Sequence, residues 1–349
     1  MFNIKGMFED KRKTAQRSWL MNNAPLFSVI IVTYKRPSAL KLCLDSLQKY
    51  SGHFSGQIIV VINGEDKESE LLLEDWNCQV VILKKSKSPA QARNLAAHFA
   101  QNPWLLFLDD DIQIPASYFS VAHEIFKKYP TGLDIFGGPD HTPLEANQFE
   151  QALGLALSSP MATAHTFKRH QSKGDLEKGS ESKFILCHLW IRREIFKTVN
   201  FDERFVRNEE NVLLFNLARS KMLYSPELFV YHKRKAEFIK LFPAVFSSGA
   251  HRIKSFFLYP KSFNPVYLLP LLFLFYIASL TFIKADWFSF PLTVFMIVSL
   301  FYSFKRGGIT LGPIVLSYQL FINVAYALGT AWGIIDNTFF RLSKRTSRQ

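Results

Sequence analysis

Between residues 27 and 232 the chain alternates short apolar runs with longer segments that repeat apolar residues every three or four positions. The runs have the length of buried β-strands, and the repeats have the spacing of amphipathic helices. This alternation predicts an α/β fold with a largely parallel sheet. The predicted strands are 27–33, 57–63, 80–83 and 104–108, and the predicted helices are 37–50 and 89–101.

The last of these strands runs directly into three consecutive carboxylates, Asp109, Asp110 and Asp111. Ligands of open α/β sheets bind outside the carboxyl ends of the strands. Adjacent carboxylates raise one another's pKa unless a cation neutralises them, and Mg²⁺ or Mn²⁺ favours carboxylate oxygens together with substrate phosphates. The triplet therefore predicts a divalent-metal and phosphate site. The alternative is a solvated acidic turn.

Composition and charge exclude several classes of protein. A hydrophobic fraction of 48% excludes a disordered chain, and only three cysteines exclude a disulfide scaffold. The formal net charge is +13, yet residues 27–232 are close to neutral and the basic excess flanks apolar segments. This distribution fits an anionic membrane surface as partner, and no nucleic-acid binding is expected.

The C-terminal quarter contains three uncharged stretches. Residues 266–283 and 287–304 are 18 residues each, and 307–335 has 29. Eighteen helical residues rise about 27 Å, close to the thickness of a hydrocarbon core. We therefore expect two or three transmembrane helices, with 309–335 either spanning the bilayer or lying on it. Buried core helices of a soluble protein are the alternative.

These patterns predict five segments. The one at 233–262 mixes aromatic and basic residues, which predicts one or two short amphipathic helices broken near Pro243 and residues 247–249. No cleavable signal-peptide pattern is present, so the 27–232 domain is expected on the cytoplasmic side. The segments are a basic extension (1–26), an α/β domain (27–232), a membrane-surface segment (233–262), transmembrane helices (263–340) and a basic tail (341–349).

The motifs of the α/β domain, taken in order, resemble those of family 2 glycosyltransferases with the GT-A fold. FSVIIVTYKRP, a strand ending in Asn63, SPAQARNLAA and WLLFLDDDIQIP are similar to the nucleotide-sugar half of that family. LWIRREIFKTVNFDERFVRNEENVLLFNLA is similar to its acceptor half. The basic segment and apolar C-terminus further resemble the membrane-anchored branch that builds bacterial exopolysaccharides and lipid-linked glycans. The resemblance implies a Rossmann-like GT-A domain at the bacterial inner membrane, anchored by several passes.

The resemblance also implies a donor site. Asn63 stands where the family usually has an Asp that contacts the base, which leaves the base preference open. Asp109 and Asp111 would form the DxD motif with Asp110 as a bystander between them, and a late histidine, His232, would complete the site for Mg²⁺ or Mn²⁺. The implied metal ligands are Asp111, Asp109 and His232. The implied nucleotide-sugar residues are Thr33, Tyr34, Asn63, Arg93, Asn94, Asp109 and Asp110.

On the acceptor side, the family takes its catalytic base from an acidic pair at the start of a helix. Here the pair is Glu209 and Glu210, and alignment puts Glu210 at the catalytic position. Acids favoured by the helix dipole are the alternative. The implied acceptor-binding residues are Trp190, His188 and Arg252. Trp190 is equally compatible with the core, and Arg252 with the membrane surface.

The expected function is inverting, metal-dependent transfer of one sugar from a nucleotide-sugar donor to a membrane-held, polyprenyl-linked glycan acceptor. The Gln-x-x-Arg-Trp motif of processive relatives is absent from the sequence, which favours single transfer over polymerisation. One alternative is a polyprenyl-phosphate sugar synthase. A non-enzymatic alternative is a GT-A membrane scaffold that binds other transferases.

Overall fold

The computed structural model describes residues 25–50, 56–172, 174–283 and 285–346, with side chains up to residue 339. Residues 1–24 of the predicted basic extension and 347–349 of the predicted tail lie outside this range. The chain forms two compact units. The first contains residues 25–141, 171–204 and 209–233, and the second contains 142–170, 205–208 and 234–346.

The first unit contains eleven strands among the described residues. They are β1 (Phe27–Thr33), β2 (Gln57–Asn63), β3 (Gln79–Leu83), β4 (Trp104–Asp109), β5 (Ile112–Gln113), β6 (Ile135–Gly137), β7 (Asp140–His141), β8 (Glu177–Lys178), β9 (His188–Arg192), β10 (Met222–Tyr224) and β11 (Val230–His232). Those predicted from apolar runs are confirmed to within one residue at either end.

The α-helices of both units, in chain order, are α1 (Pro37–Lys49), α2 (Lys67–Glu74), α3 (Pro89–Phe99), α4 (Tyr118–Lys128), α5 (Gln148–Leu157), α6 (Pro160–Thr163), α7 (Arg193–Thr198), α8 (Glu209–Asn216), α9 (Phe238–Leu258), α10 (Leu269–Ser279) and α11 (Phe290–Thr346). Short 3₁₀ helices cover Ala164–His170, Pro260–Ser262, Pro265–Leu268 and Asp286–Ser289.

The larger sheet has the strand order β3-β2-β1-β4-β9-β6-β10-β8. Its first four strands run parallel, and β9 lies antiparallel between β4 and β6. Alternate residues of β1 face the two helical layers: Val29 and Ile31 pack in one core and Ile30 in the other. Because parallel strands end at the same edge, Thr33, Asn63 and Asp109 emerge together.

A smaller sheet stands beside that edge and has the order β5-β11-β7. β5 follows the acidic triplet directly, while β11 pairs antiparallel with β5 and parallel with β7. His232 is therefore opposite Ile112, in the strand next to the one that begins at Asp140. This pairing brings the end of the domain back to the acidic triplet.

In the second unit, α9 is one continuous helix of 21 residues, so the breaks predicted near Pro243 and 247–249 within one or two short helices are wrong. Pro243 lies in its second turn, where the missing N–H costs only one helical hydrogen bond. One face of α9, with Arg252, Ile253 and Phe256, is buried. Ile239 on another side of the helix is 88% exposed.

The predicted number of transmembrane helices is wrong. Within the part of the chain that the structure describes, Asp286–Phe339 is the one helix long and apolar enough to cross a membrane. The predicted spans 287–304 and 309–335 are both part of it. The span predicted at 266–283 contains a 3₁₀ turn and α10, whose 11 residues rise about 16 Å, half of a hydrocarbon core. By length and composition alone, the described residues offer one candidate span rather than the predicted two or three.

The long helix is not straight, because Gly308 adopts φ 60° and ψ −161°. The Ser303 hydroxyl donates to the Gln319 side-chain oxygen at 3.2 Å. On a straight helix these residues would be about 24 Å apart. The helix therefore folds back at Gly308, and its two arms lie side by side at this polar pair.

Gly138 lies between β6 of the larger sheet and β7 of the smaller sheet, and a substitution there tests how closely the backbone is packed where the two sheets join. A Cβ there would overlap the carbonyl oxygens of Leu228 and Ser225. We expect Gly138→Ala to lower the free energy of unfolding by roughly 3 kcal/mol, the upper end of the usual overpacking range. Thermal unfolding of the two purified proteins measures the effect.

The control is the neighbouring Gly137→Ala, whose Cβ would meet the side chain of Phe184 at 3.2 Å. A side chain yields more readily than backbone, so this variant should unfold closer to wild type. Equal destabilisation by both variants would contradict the assignment of the tight contact to Gly138.

Candidate active site

The acidic triplet at the end of β4 is paired with two arginines from different parts of the chain. The Arg36 guanidinium, after β1, contacts Asp110 and reaches Asp111 Oδ2 at 2.7 Å. Arg93, in the second turn of α3, reaches Asp109 Oδ1 at 2.8 Å. Each carboxylate of the triplet therefore contacts an arginine, which offsets the mutual repulsion of three adjacent charges.

Arg93 also joins the triplet to the acidic pair. Its second terminal nitrogen lies 2.7 Å from Glu209 Oε1, at the first residue of α8. Burial alone would lower the pKa of Arg93, but Asp109 and Glu209 outweigh it and keep the group charged. Burial raises the pKa of Glu209, and Arg93 opposes that shift. One guanidinium thus links the predicted donor and acceptor residues.

Asp110 and Asp111 differ in environment. Asp110 is fully buried beneath Arg36, and burial raises its pKa to about 7 although Arg36 and the Thr33 hydroxyl favour its charged form. Burial would also raise the pKa of Asp111, but His232 and Arg36 outweigh it and hold that pKa well below its usual range. Asp111 therefore stays ionised and partly accessible, in contrast to the buried Asp110.

His232 lies between two carboxylates. Its Nε2 is 3.3 Å from Asp111 Oδ1, and its Nδ1 is 2.7 Å from Asp140 Oδ2. Burial would lower the pKa of this imidazole, but the two carboxylates outweigh it and raise the pKa well above the ordinary value. The predicted metal residues Asp111 and His232 are thus brought together.

The donor set at Asp111 and His232 fits a divalent cation. Two ligands at right angles, each about 2.1 Å from Mg²⁺, lie about 3 Å apart, close to the observed 3.3 Å between Asp111 Oδ1 and His232 Nε2. Carboxylate oxygen and imidazole nitrogen also suit Mn²⁺. Among the described residues, the one group of three potential ligands whose atoms all lie within 4.8 Å of one another is Asp140, Cys187 and His232. The predicted third ligand, Asp109, is not part of a group of this kind with Asp111 and His232.

Glu210 is the second residue of the acidic pair, and the 2.7 Å contact with Arg93 is made by the first residue, Glu209. Glu210 is only 8% exposed, and the Asn211 amide donates to its Oε1 at 3.1 Å. Since α8 begins at Glu209, both acids stand in the first turn, where the helix dipole favours negative charge.

Tyr34 and Asn63 lie on either side of the turn at Gly64. Tyr34 is 49% exposed, and its ring packs against the Gly64 backbone. The Asn63 side chain accepts from Lys87 N at 2.8 Å and donates to Lys87 O at 2.9 Å. An Asp could not make the second bond, which gives the amide a structural role at the position where the sequence resemblance implies an acid. The Lys35 amino nitrogen lies over the Tyr34 ring, 5.7 Å from its centroid.

Asn94, predicted to face the nucleotide, points elsewhere. Its amide accepts from Phe201 N at 3.1 Å and donates to Phe201 O at 2.9 Å. It also contacts Glu203 Oε1 at 3.2 Å. Asn94 is therefore occupied in fixing the chain segment that leads toward α8.

The predicted acceptor contacts of His188 and Trp190 are not supported by their positions, because both side chains are fully buried in β9. The Trp190 indole donates to the Tyr118 hydroxyl at 3.0 Å, which lies 3.3 Å from His188 Nδ1. His188 Nε2 is 2.9 Å from the Pro139 carbonyl oxygen. The chain of donors is complete when the Tyr118 hydroxyl donates to Nδ1 and Nε2–H donates to Pro139.

Arg252, the third predicted acceptor residue, belongs to the second unit. It is 7% exposed, and its guanidinium lies over the Tyr267 ring, 3.9 Å from the centroid. Within that unit its visible role is a buried cation–π contact.

Sequence reasoning missed Arg36 and Asp140. Arg36 had a usable signal, because it follows β1, and β1 and β4 were both predicted as strands of one parallel sheet. Asp140 had none, since its contact with His232 spans 92 residues and depends on a strand of two residues.

Comparison with known proteins gives three findings. The model described as glycosyl transferase family 2 matches residues 28–199. A protein of Haemophilus influenzae named an uncharacterized glycosyltransferase is 28% identical over 89 residues, covering 25% of this chain and 29% of that protein. The minor teichoic acid biosynthesis protein GgaB of Bacillus subtilis is 24% identical over 207 residues, covering 57% of this chain and 21% of that protein.

The chain thus spans less than a third of the length of these two curated relatives. Among solved structures, a mannosyltransferase from Pyrobaculum calidifontis in complex with GDP-Man and Mn²⁺ superposes with a TM-score of 0.58 at 11% identity. The match covers 94% of this chain and 97% of that one. This likeness confirms the predicted GT-A-like fold.

The buried His188 predicts a specific pH dependence of stability. Burial lowers its pKa from 6.5 to about 4, so between those pH values the unfolded chain binds a proton that the folded chain excludes. Wild-type stability should therefore fall as pH drops from 6.5 to 4, by about 3 kcal/mol from this group. Thermal unfolding measured at intervals across this range should show a shallower fall for His188→Gln.

The matched control is His98→Gln, which replaces an exposed histidine of α3. This variant should follow the wild-type pH profile. If His188→Gln also follows that profile, the excluded proton is not at His188.

Proposed function

We propose that this chain, whose residues 28–199 match the model described as glycosyl transferase family 2, is an inverting, metal-dependent glycosyltransferase of that family. It transfers one sugar from a nucleotide-sugar donor to a membrane-held glycan acceptor of the bacterial cell envelope. The GT-A-like fold and the family match support nucleotide-sugar transfer. The proposed acceptor, stereochemistry and metal are more specific than this match, and the arguments for them follow.

The observation that carries the proposal is the position of Arg93 between Asp109 and Glu209. Asp109 belongs to the strand that delivers the acidic triplet, and Glu209 opens the helix that delivers the acidic pair. A transferase needs a leaving-group site and a base site in one cleft. Arg93 holds those two elements together in the first unit.

The chemistry is a displacement at the anomeric carbon. The acceptor hydroxyl oxygen forms a bond to that carbon while the bond to the diphosphate oxygen breaks, and the electron pair leaves with the nucleoside diphosphate. Glu210 takes the acceptor hydroxyl proton. Attack from the side opposite the leaving group inverts the anomeric configuration.

Charge on the leaving diphosphate needs cations. Arg36 and Arg93 are placed to exchange carboxylate partners for phosphate oxygens when the donor binds, because guanidinium recognises either group in the same bidentate manner. Asp111, Asp109 and His232 would hold Mn²⁺ or Mg²⁺, which as a bound Lewis acid neutralises developing negative charge on the diphosphate. Tyr34 offers its exposed ring to the nucleobase.

The membrane assignment is supported by the apolar surface of the long helix. Trp287, Phe290 and Ile309 are 75%, 68% and 88% exposed. Large exposed apolar side chains in such numbers are typical of membrane or protein contact. We propose that this helix anchors the enzyme at the inner membrane with the catalytic unit in the cytoplasm. Similarity to a teichoic acid biosynthesis protein supports a cell-envelope acceptor.

Glu210→Gln should reduce transfer by a factor of about 10²–10⁴, the usual contribution of a general base, and leave donor binding unchanged. The amide keeps the shape of the side chain but cannot accept the proton. Turnover is measured as nucleotide release, and donor affinity by calorimetry. The matched control is Glu194→Gln, an exposed acid in the first turn of α7, which should retain activity. Wild-type turnover in Glu210→Gln would exclude Glu210 as the base.

Nucleotide release from UDP-, GDP- or dTDP-sugars should require both Mn²⁺ (or Mg²⁺) and bacterial lipid extract. Chelation with EDTA should abolish release, and added Mn²⁺ should restore it. Release that survives EDTA would contradict the metal, and release that ignores lipid would contradict the membrane acceptor.

Mass spectrometry of the product then separates the acceptors. A glycan extended by one sugar supports the proposal, whereas a lipid monophosphate sugar would make the enzyme a polyprenyl-phosphate sugar synthase. A folded protein that binds no donor in the presence of Mn²⁺ would favour the scaffold role.

A further inference from the structure

Asp140 is a buried carboxylate whose position is fixed from several sides. It is fully buried at the start of β7 and pairs in register with Val230 of β11. The preceding carbonyl, that of Pro139, is 2.9 Å from His188 Nε2. Gly138, one residue earlier, packs without room for a Cβ against the chain that leads into β11. The carboxylate is thus held rigidly beside the strand that carries His232.

The contact between Asp140 and His232 selects one nitrogen of the imidazole. Asp140 Oδ2 lies 2.7 Å from Nδ1, while Nε2 points toward Asp111 Oδ1 at 3.3 Å. A neutral imidazole carries one N–H, and a carboxylate accepts but cannot donate. When a cation displaces the Nε2 proton of the imidazolium, the remaining proton stays on Nδ1 toward Asp140, and the lone pair is on Nε2, the nitrogen on the side of the acidic triplet.

We propose that Asp140 is a positioning residue that fixes the orientation and tautomer of His232, so that Nε2 presents its lone pair to the divalent cation held with Asp111. This inference rests on the metal site of the proposed function. Histidines that bind metals commonly donate their other N–H to a carboxylate, and loss of that carboxylate typically costs 10- to 100-fold in metal affinity.

The cluster of Asp140, Cys187 and His232 offers a competing position for an ion, on the Nδ1 side. There an ion would have to displace the 2.7 Å hydrogen bond between Nδ1 and Asp140. Mg²⁺ and Mn²⁺ also prefer oxygen ligands to a thiol. Cys187→Ser should therefore leave Mn²⁺ affinity unchanged. A tenfold loss in that variant would put the ion on the Nδ1 side and overturn the proposal.

The primary experiment titrates Mn²⁺ into the full chain and follows the signal of free Mn²⁺ by electron paramagnetic resonance. We expect Asp140→Asn to weaken Mn²⁺ binding 10- to 100-fold, because the amide is a weaker acceptor and can turn its NH₂ toward Nδ1, which puts the proton on Nε2. The charge-matched control is Asp134→Asn, at a carboxylate that contacts Lys221 N and Arg192. This control should bind Mn²⁺ like wild type.

A double-mutant cycle with His232→Ala distinguishes positioning from a general structural effect. If Asp140 acts through His232, Asp140→Asn causes no further loss in the His232→Ala background. The same fold loss in both backgrounds, or wild-type affinity in Asp140→Asn, would overturn the inference. Wild-type affinity in His232→Ala would overturn this inference and the proposed metal site together. Loss in His232→Ala but none in Asp140→Asn would leave the metal site standing.

A second measurement needs no variant at Asp140 and so does not depend on that variant folding. In the Mg²⁺-loaded wild-type protein, long-range ¹⁵N–¹H spectra of labelled histidine report the tautomer, and His232→Ala assigns the signal. We expect a proton on Nδ1 and none on Nε2. A proton on Nε2 in the Mg²⁺-loaded protein would overturn the proposal.

Discussion

Charge pairing at the carboxyl edge of the parallel sheet is the interaction on which the rest of the first unit depends. Three adjacent aspartates and a buried glutamate could not share this edge without cations, because each desolvated charge costs several kcal/mol when it is unpaired. Arg36, Arg93 and His232 supply those cations from three separate regions of the chain. The strands β1 and β11 and the helix α3 meet at the edge and bring them there.

The same pairs explain why the site suits a diphosphate and a metal. In the proposed function, each arginine contacts a carboxylate in the free protein and exchanges it for a phosphate group when the substrate binds. A guanidinium that binds a carboxylate can rebind phosphate without losing its geometry. Asp111 is partly exposed and shares its two oxygens between Arg36 and His232. Under this proposal, the counter-charges of the free protein hold the donor-site residues in place before the donor binds.

The second unit shows what apolar composition can and cannot predict about helices. Hydropathy located the apolar C-terminus correctly but counted its segments as separate spans. The long apolar helix bends back at Gly308 into two arms that lie side by side. The Ser303 hydroxyl of the first arm contacts the Gln319 side chain of the second. Polar residues on apolar helices commonly make such contacts between packed helices. The sequence shows the polar residues of 307–335, such as Gln319, but it does not predict which residues they contact.

The sequence alone determined the strands, the first helices, the acidic triplet and the acidic pair, because each depends on residues close together in the chain. Only the tertiary structure decided which of the candidate site residues lie beside the acidic triplet. Trp190 and His188 share a buried hydrogen-bond chain through Tyr118, and Asn94 bonds the Phe201 backbone. Asp140 joins the site through a pairing 92 residues distant. Residue type and spacing fix local structure, whereas burial and partners arise from contacts that form only when the sheet is assembled.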